Sequence, residues 1–146
     1  MAKRELALLV HSLEQQGIFE DFFGDMEVLQ EKDPRPFEDL FPEFFTAIEK
    51  KIEELAPNLS EANANYAMVQ HFSQKIKECA ETYGCTRLAN YSQDLWDTCA
   101  SRNNKEECPI LFENLKTEYY ATKELLIRIA KLESEMSEDE QDEDGK

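Results

Sequence analysis

The stretch "YAMVQHFSQKIKECAETYG", residues 66–84, places apolar and small side chains at helical spacing and ends in a glycine. Its expected inward-facing residues lie three and four positions apart: Tyr66, Val69, Ser73, Ile76, Ala80 and Tyr83. Such a seam is typical of a helix in a bundle. We expect Ser60 to cap the start of this helix and Gly84 to supply the left-handed backbone that ends it. The stretch therefore predicts a bundle helix from about residue 60 to Tyr83.

Helical spacing also occurs in segments on both sides of this stretch: residues 2–16, 19–32, 36–55, from Gly84 to about Cys99, and 106–132. The expected inward-facing residues are Phe19, Phe23, Met26 and Leu29 in the second segment, and Leu111, Leu115, Tyr119, Thr122, Leu125, Ile129 and Leu132 in the last. Pro42 cannot donate a backbone hydrogen bond, so we expect a kink or a broken first turn there. Short connections between the last four helices predict an all-α, antiparallel up-down four-helix bundle with additional N-terminal helices, about six helices in total.

Composition agrees with one helical domain. The chain has 146 residues, of which only four are glycine and five are proline, and 33% are charged. Its start lacks the pattern of a secretory signal, and no apolar run reaches the roughly 18 residues of a membrane span. We therefore expect an intracellular protein.

The four cysteines are Cys79, Cys85, Cys99 and Cys108. In a reducing compartment we expect them to be structural free thiols. No CxxC pair occurs, and His11 and His71 lack the spacing of metal ligands. The sequence predicts neither a metal site nor a cofactor.

The net charge of −16 argues against nucleic acid and membranes as direct partners, because phosphate binding relies on Lys and Arg. Eight of the acids lie in residues 133–146, with one lysine. We expect residues 1–132 to form the helical domain and residues 133–146 to form a disordered acidic tail. The tail is either a solubilising extension, a binder of basic partners, or a site for an acid-directed kinase at Ser137.

Three motifs resemble the plant histidine-containing phosphotransfer family. Its members carry HQLKGSSxSxG on a bundle helix, then GAxRV, then a QEYY-like signature on the last helix. The matching stretches here are "QKIKECAETYG" from Gln74 to Gly84, "CTRL" with Arg87, and "LKTEYYATKELL" around Tyr119. The segments "GIFEDFFGDMEVLQ" and "PFEDLFPEFF" also resemble the family, so the resemblance spans nearly all of the chain before the tail.

The resemblance places Gln74 on the family's phosphorylated histidine and Lys77 on its lysine. A histidine ring nitrogen accepts the phosphoryl group as a nucleophile, whereas a glutamine carboxamide has no such nitrogen. Glu78 replaces a glycine that leaves room for the incoming receiver domain, so weaker docking is a hypothesis. The chain thus resembles pseudo-phosphotransfer members, which keep the fold and lack the histidine.

The resemblance implies a non-catalytic binding module, not an enzyme, found in the cytoplasm and nucleus as a monomer. It would bind receiver domains of hybrid histidine kinases and response regulators through Gln70, Lys77, Glu78, Glu81 and Arg87, and inhibit a multistep, cytokinin-type phosphorelay. Two alternatives stay open at this stage. One is an active carrier that uses His71, and the other is an acidic helical scaffold unrelated to phosphorelay.

Overall fold

The computed structural model describes residues 1–60, 64–101 and 105–144, the last eight of these (137–144) in backbone alone. Within these ranges the chain is all-helical, as predicted, and contains no strand. The helices are α1 (Ala2–Gln15), α2 (Phe22–Lys32), α3 (Phe37–Leu55), α4 (Tyr66–Thr82), α5 (Thr86–Ala100) and α6 (Cys108–Asp144). Short 3₁₀ helices at Ala56–Leu59 and Lys105–Glu107 lie between them.

Helices α3 to α6 form the predicted four-helix bundle. Each packs against its neighbour in the chain, and α3 also packs against α6, which closes the ring. Their ends show the antiparallel order, because Glu133, late in α6, accepts a hydrogen bond from the backbone N–H of Phe37 at the start of α3. At the opposite end, Cys99 of α5 meets Cys108 of α6. Helix α1 packs on the outside against α6.

The predicted seam of α4 is confirmed. Val69, Ser73, Ile76 and Ala80 are buried, and the outermost two residues of the seam are half-buried against the core. The start of the helix was predicted wrongly. Ser60 ends the preceding 3₁₀ helix, whereas the side chain of Asn65 caps α4 by accepting from the N–H of Met68 at 3.2 Å.

The predicted inward faces of α2 and α6 need small corrections. Phe22 is fully buried while Phe23 is 46% exposed, because Phe22 shares the inward face of α2 with Met26, four residues later. In α6, Phe112 and Leu126 are buried, whereas the predicted Leu111 and Leu125 are half-buried at the edge of the core. Helix α3 continues through Pro42.

Helix α6 continues past residue 132, where we expected the helical domain to end. The helix runs on to Asp144, and Glu133 bonds the N–H of Phe37 at 2.8 Å. Pro36, the residue that precedes α3, has no side-chain cap to offer, so the first turn of α3 takes an acceptor from α6 instead. The division of the chain at residue 132 and the disorder of residues 133–146 stay predictions.

None of the helices in the described part of the chain is both long enough and apolar enough to span a membrane.

Two glycines adopt a left-handed backbone, Gly17 with φ +79° and Gly84 with φ +73°. Gly84 closes the turn between α4 and α5, where its N–H donates to the carbonyl of Glu81 at 3.1 Å. A Cβ built at Gly84 would lie 3.2 Å from Oδ2 of Asp25 and 3.3 Å from its Cβ, whereas a Cβ at Gly17 would meet nothing within 4 Å. The two sites therefore share the backbone constraint and differ in the available space.

We expect Gly17→Ala to lower the free energy of unfolding by about 1 kcal/mol, the typical cost of a left-handed alanine. Gly84→Ala should cost about 2 kcal/mol or more, because the methyl group also displaces Asp25. Urea denaturation of both variants measures the difference. Equal costs would mean that Asp25 moves away freely and that crowding at this turn is unimportant.

Candidate functional site

One face of α4 carries most of the predicted binding residues. They recur at three- and four-residue intervals, so they line one side of the helix, away from the buried seam: Gln70, Gln74, Lys77, Glu78 and Glu81. Because α4 packs extensively against α5, side chains of α5 lie alongside this row. We refer to these five residues as the α4 face.

Gln74 lies half-buried at the middle of the α4 face. Its amide Nε2 donates to Oε1 of Glu78 one turn later, at 3.3 Å. Lys75 also approaches Glu78, with Nζ 3.8 Å from Oε2. The carboxylate of Glu78 is therefore folded back over the position of Gln74 and partly neutralised there. A phosphoryl donor approaching Gln74 would meet an amide and a carboxylate, and neither group has a basic ring nitrogen.

Lys77 is held by a short chain of polar groups from α5. Its Nζ donates to Oε1 of Gln93 at 2.8 Å, and Nε2 of Gln93 donates to Oδ1 of Asp97 at 2.8 Å. Glu81 lies 3.8 Å from the same Nζ. The ammonium group is therefore oriented by both helices while its side chain stays 29% exposed.

Gln93 and Asp97 were not among the site residues predicted from the sequence. Their only local signal is an i, i+4 spacing on α5, which is common on exposed helix faces. Their meaning depends on the antiparallel register of α4 and α5, and no pattern within either helix specifies that register.

Gln70 contributes a weaker link between the same two helices. Its Nε2 donates to the backbone carbonyl of Trp96 at 3.4 Å. The donor is therefore already engaged with α5, although the side chain remains half-buried at the edge of the α4 face.

Arg87 does not join the α4 face. Its Nε donates at 2.9 Å to Oε1 of Glu118 on α6, and Glu118 is only 7% exposed. This hydrogen bond raises the pKa of Arg87 further above its usual value. The hydroxyl of Thr122 approaches the same carboxylate oxygen at 3.5 Å. The geometry gives Arg87 a structural task, namely compensating a buried carboxylate, and its predicted contact with a receiver remains untested.

An acidic hollow borders the α4 face at the C-terminal end of the helix. It has a volume of about 350 Å³, and Glu20, Asp25 and Glu81 contribute its carboxylates. Burial raises the pKa of Asp25, and the neighbouring negative charges of Asp21 and Glu20 raise it further. The potential at this end of the face is therefore negative, which favours a partner surface that presents cationic groups there.

His71 lies on an exposed part of α4 and packs the edge of its ring against Phe72, with centroids 5.3 Å apart. It precedes Gln74 by three residues, which corresponds to one turn along the axis and about 60° around it. A partner aligned with Gln74 would therefore not face His71 directly. All four cysteines are free thiols, and no group of three or more metal-ligating side chains occurs within residues 1–60, 64–101 and 105–136.

Comparison with solved structures shows which fold this is. The chain is similar to a histidine-containing phosphotransfer protein from maize, with a TM-score of 0.78 at 18% sequence identity over 93% of this chain and 99% of that one. It is also similar to a histidine-containing phosphotransfer protein from Medicago truncatula, with a TM-score of 0.80 at 23% identity over 94% of this chain and 93% of that one. The fold is therefore the helical bundle of the plant phosphotransfer proteins. At these identities the likeness establishes the fold alone.

No protein-family model matches the sequence. No curated protein sequence matches it significantly either.

The contact between Arg87 and Glu118 predicts a stability effect. Arg87→Met should lower the free energy of unfolding by about 2 kcal/mol, because it leaves a buried carboxylate without its charged donor. Adding Glu118→Met should restore at least half of this loss. Lys75→Met, which removes an exposed pair, is the matched control and should change stability little. Chemical denaturation of the four proteins measures these effects.

An unchanged stability of Arg87→Met would show that the guanidinium is not needed by the bundle. In that case Arg87 would be available for a partner, as the sequence suggested.

Proposed function

We propose that this chain is a pseudo histidine phosphotransfer protein, which binds receiver domains without accepting their phosphoryl group. The observation that carries the proposal is the presence of Gln74 on the α4 face, at the position that resembles the family's histidine. Lys77, three residues later, matches the family's lysine. The shared fold of the phosphotransfer proteins from maize and Medicago truncatula supports it. The proteins it would bind are hybrid histidine kinases and response regulators.

The chemistry of Gln74 excludes relay at that position. Transfer requires an atom that attacks phosphorus and then holds the phosphoryl group in a bond that can be broken again. The nitrogen of a carboxamide is delocalised into its carbonyl and is not basic, and here it also donates a hydrogen bond to Glu78. A receiver bound at the α4 face would keep its phosphoryl group.

Features that would help binding persist without the nucleophile. Lys77 is pre-oriented by Gln93 at 2.8 Å, and a fixed cation near the transfer position can pair with the phosphoryl group or the acidic site of a receiver. Glu78 opposes such docking by its charge, and Lys75 offsets this charge in part. The expected result is occupancy of the receiver with no onward transfer.

Occupancy without transfer makes the protein a competitor. While this chain occupies a receiver, an active carrier cannot reach the same surface, so phosphoryl flux falls as the ratio of inactive to active protein rises. The resemblance to plant phosphotransfer proteins associates this brake with cytokinin-type signalling. The proposed locations, cytoplasm and nucleus, are those where such relays operate.

Two other functions make different experimental predictions. An active carrier working through His71 would become labelled, and an acidic scaffold would not bind receivers at all. His71 is exposed, but its displacement around α4 favours the inactive reading.

We expect the purified chain to acquire no acid-labile phosphate from a phosphorylated receiver domain, while the same receiver, immobilised, retains the chain in a pull-down. An active plant phosphotransfer protein serves as the positive control for transfer. The matched variant is His71→Gln, which should behave like the unmodified chain in both assays.

Stoichiometric labelling that disappears in His71→Gln would establish the carrier function and overturn the proposal. Failure to bind any of a panel of receivers would instead favour the acidic scaffold.

Restoring the missing parts should restore transfer. Gln74→His regains the imidazole but still faces the carboxylate of Glu78 one turn away, so we expect weak phosphate uptake. Gln74→His with Glu78→Gly should take up phosphate faster, despite a cost of about 1 kcal/mol for a glycine inside a helix. Initial rates from one receiver, at matched concentrations of folded protein, provide the comparison.

A single variant that already equals an active relative would show that Glu78 is no barrier. A folded double variant that takes up nothing would show that Gln74 does not occupy the histidine position.

A further inference from the structure

Two thiols meet at the end of the bundle where α5 leads into α6. Cys99 lies in the last turn of α5 and Cys108 is the first residue of α6. Their Sγ atoms are 3.0 Å apart and share a hydrogen bond in which either atom can be the donor. Both residues are almost completely buried, with 3% and 0% exposure. The sequence gives no sign of this pairing, because nine positions separate the cysteines and no paired-cysteine motif surrounds them.

The separation of the two sulfur atoms is already close to bonding distance. A disulfide has an S–S length of about 2.05 Å, so a displacement of about 1 Å would suffice. The remaining cysteines differ from this pair. Cys79 is half-buried on α4, and Cys85 is buried where its Sγ approaches the carbonyl oxygen of Tyr83 at 3.7 Å.

We propose that Cys99 and Cys108 form an oxidant-sensitive dithiol that closes to an intramolecular disulfide when the oxidant is hydrogen peroxide. The site is independent of the chemistry at Gln74 and does not rest on the proposed function. Closure would join the last turn of α5 covalently to the first residue of α6.

The reaction balances in two steps. In the first, the thiolate of one cysteine attacks a peroxide oxygen, the O–O bond breaks, and the thiol becomes a sulfenic acid as one water leaves. In the second, the sulfur of the other cysteine attacks the sulfenic sulfur, the S–O bond breaks, and a second water leaves. The two thiols lose two protons and two electrons in total, and peroxide is reduced to two waters.

The surroundings of the pair affect the rate of the first step. Burial, together with the hydrogen bond to Cys108, raises the pKa of Cys99 and favours its protonated form. Because both thiols are buried, closure should be slower than at an exposed sensor cysteine.

Closure has a structural consequence that can be measured. The disulfide would enclose the α5–α6 connection, which includes the 3₁₀ helix Lys105–Glu107. A cross-link restricts the unfolded chain, so the folded state gains stability. Gln70 and Trp96 also join α4 to this part of α5. The oxidised protein should melt several degrees higher than the reduced one.

The test begins with the unmodified full-length chain. It is treated with hydrogen peroxide, then unfolded in a thiol-alkylating reagent and mapped as peptides under non-reducing conditions. We expect the dominant product to link Cys99 to Cys108, with two hydrogen atoms lost and only two of the four cysteines alkylated. Dithiothreitol should restore four alkylated cysteines and the lower melting temperature.

Variants separate this pair from the other thiols. Cys79→Ala with Cys85→Ala should still close and still show the rise in melting temperature. Cys108→Ser should show neither change. Because the connectivity is read from the unmodified chain, the result stands even where a variant folds poorly. Four alkylated cysteines after oxidation, or a dominant link that involves Cys79 or Cys85 or joins two molecules, would overturn the proposal.

Discussion

The turn at Gly84 is the constraint on which the rest of the structure depends. Its positive φ of +73° lets α4 end and α5 begin within three residues, so the two helices must run antiparallel and side by side. The close approach of Asp25 and Phe22 to Gly84 then fixes the α2 region against the same turn. A side chain at this position would be strained by its backbone and crowded by Asp25 at once. The tight connection between α4 and α5 therefore depends on a residue without a Cβ.

The buried seam and the α4 face lie on separate sides of α4. The seam of α4 is buried through Val69, Ser73, Ile76 and Ala80, and none of these residues belongs to the α4 face. Packing energy and surface chemistry are therefore separated on the two sides of one helix. A side chain of the α4 face can therefore change without disturbing the buried seam.

The charged groups of the bundle differ in the partners that they contact. Arg87 pairs with the buried Glu118. Lys123 and the hydroxyl of Tyr119 both reach Oε2 of Glu49, at 3.0 and 2.7 Å. Burial opposes ionisation of Glu49, but these two donors lower its pKa overall. Lys77 differs in its partners, because it donates to the neutral Gln93 at 2.8 Å and lies 3.8 Å from the exposed Glu81.

The sequence by itself determined the helical class, most of the helix bounds, the buried seam of α4 and the stop at Gly84, because these features depend on spacing and backbone preference within a short stretch. It also pointed to Gln74, since the resemblance lies in local motifs. Only the tertiary structure decided the partners of side chains from different helices. It engaged Arg87 with Glu118, aligned Gln93 with Lys77, carried α6 past residue 132 to cap α3, and brought Cys99 against Cys108. Each of these contacts depends on the relative register of two helices, which is set by the packing of the whole core and is not encoded in any one segment.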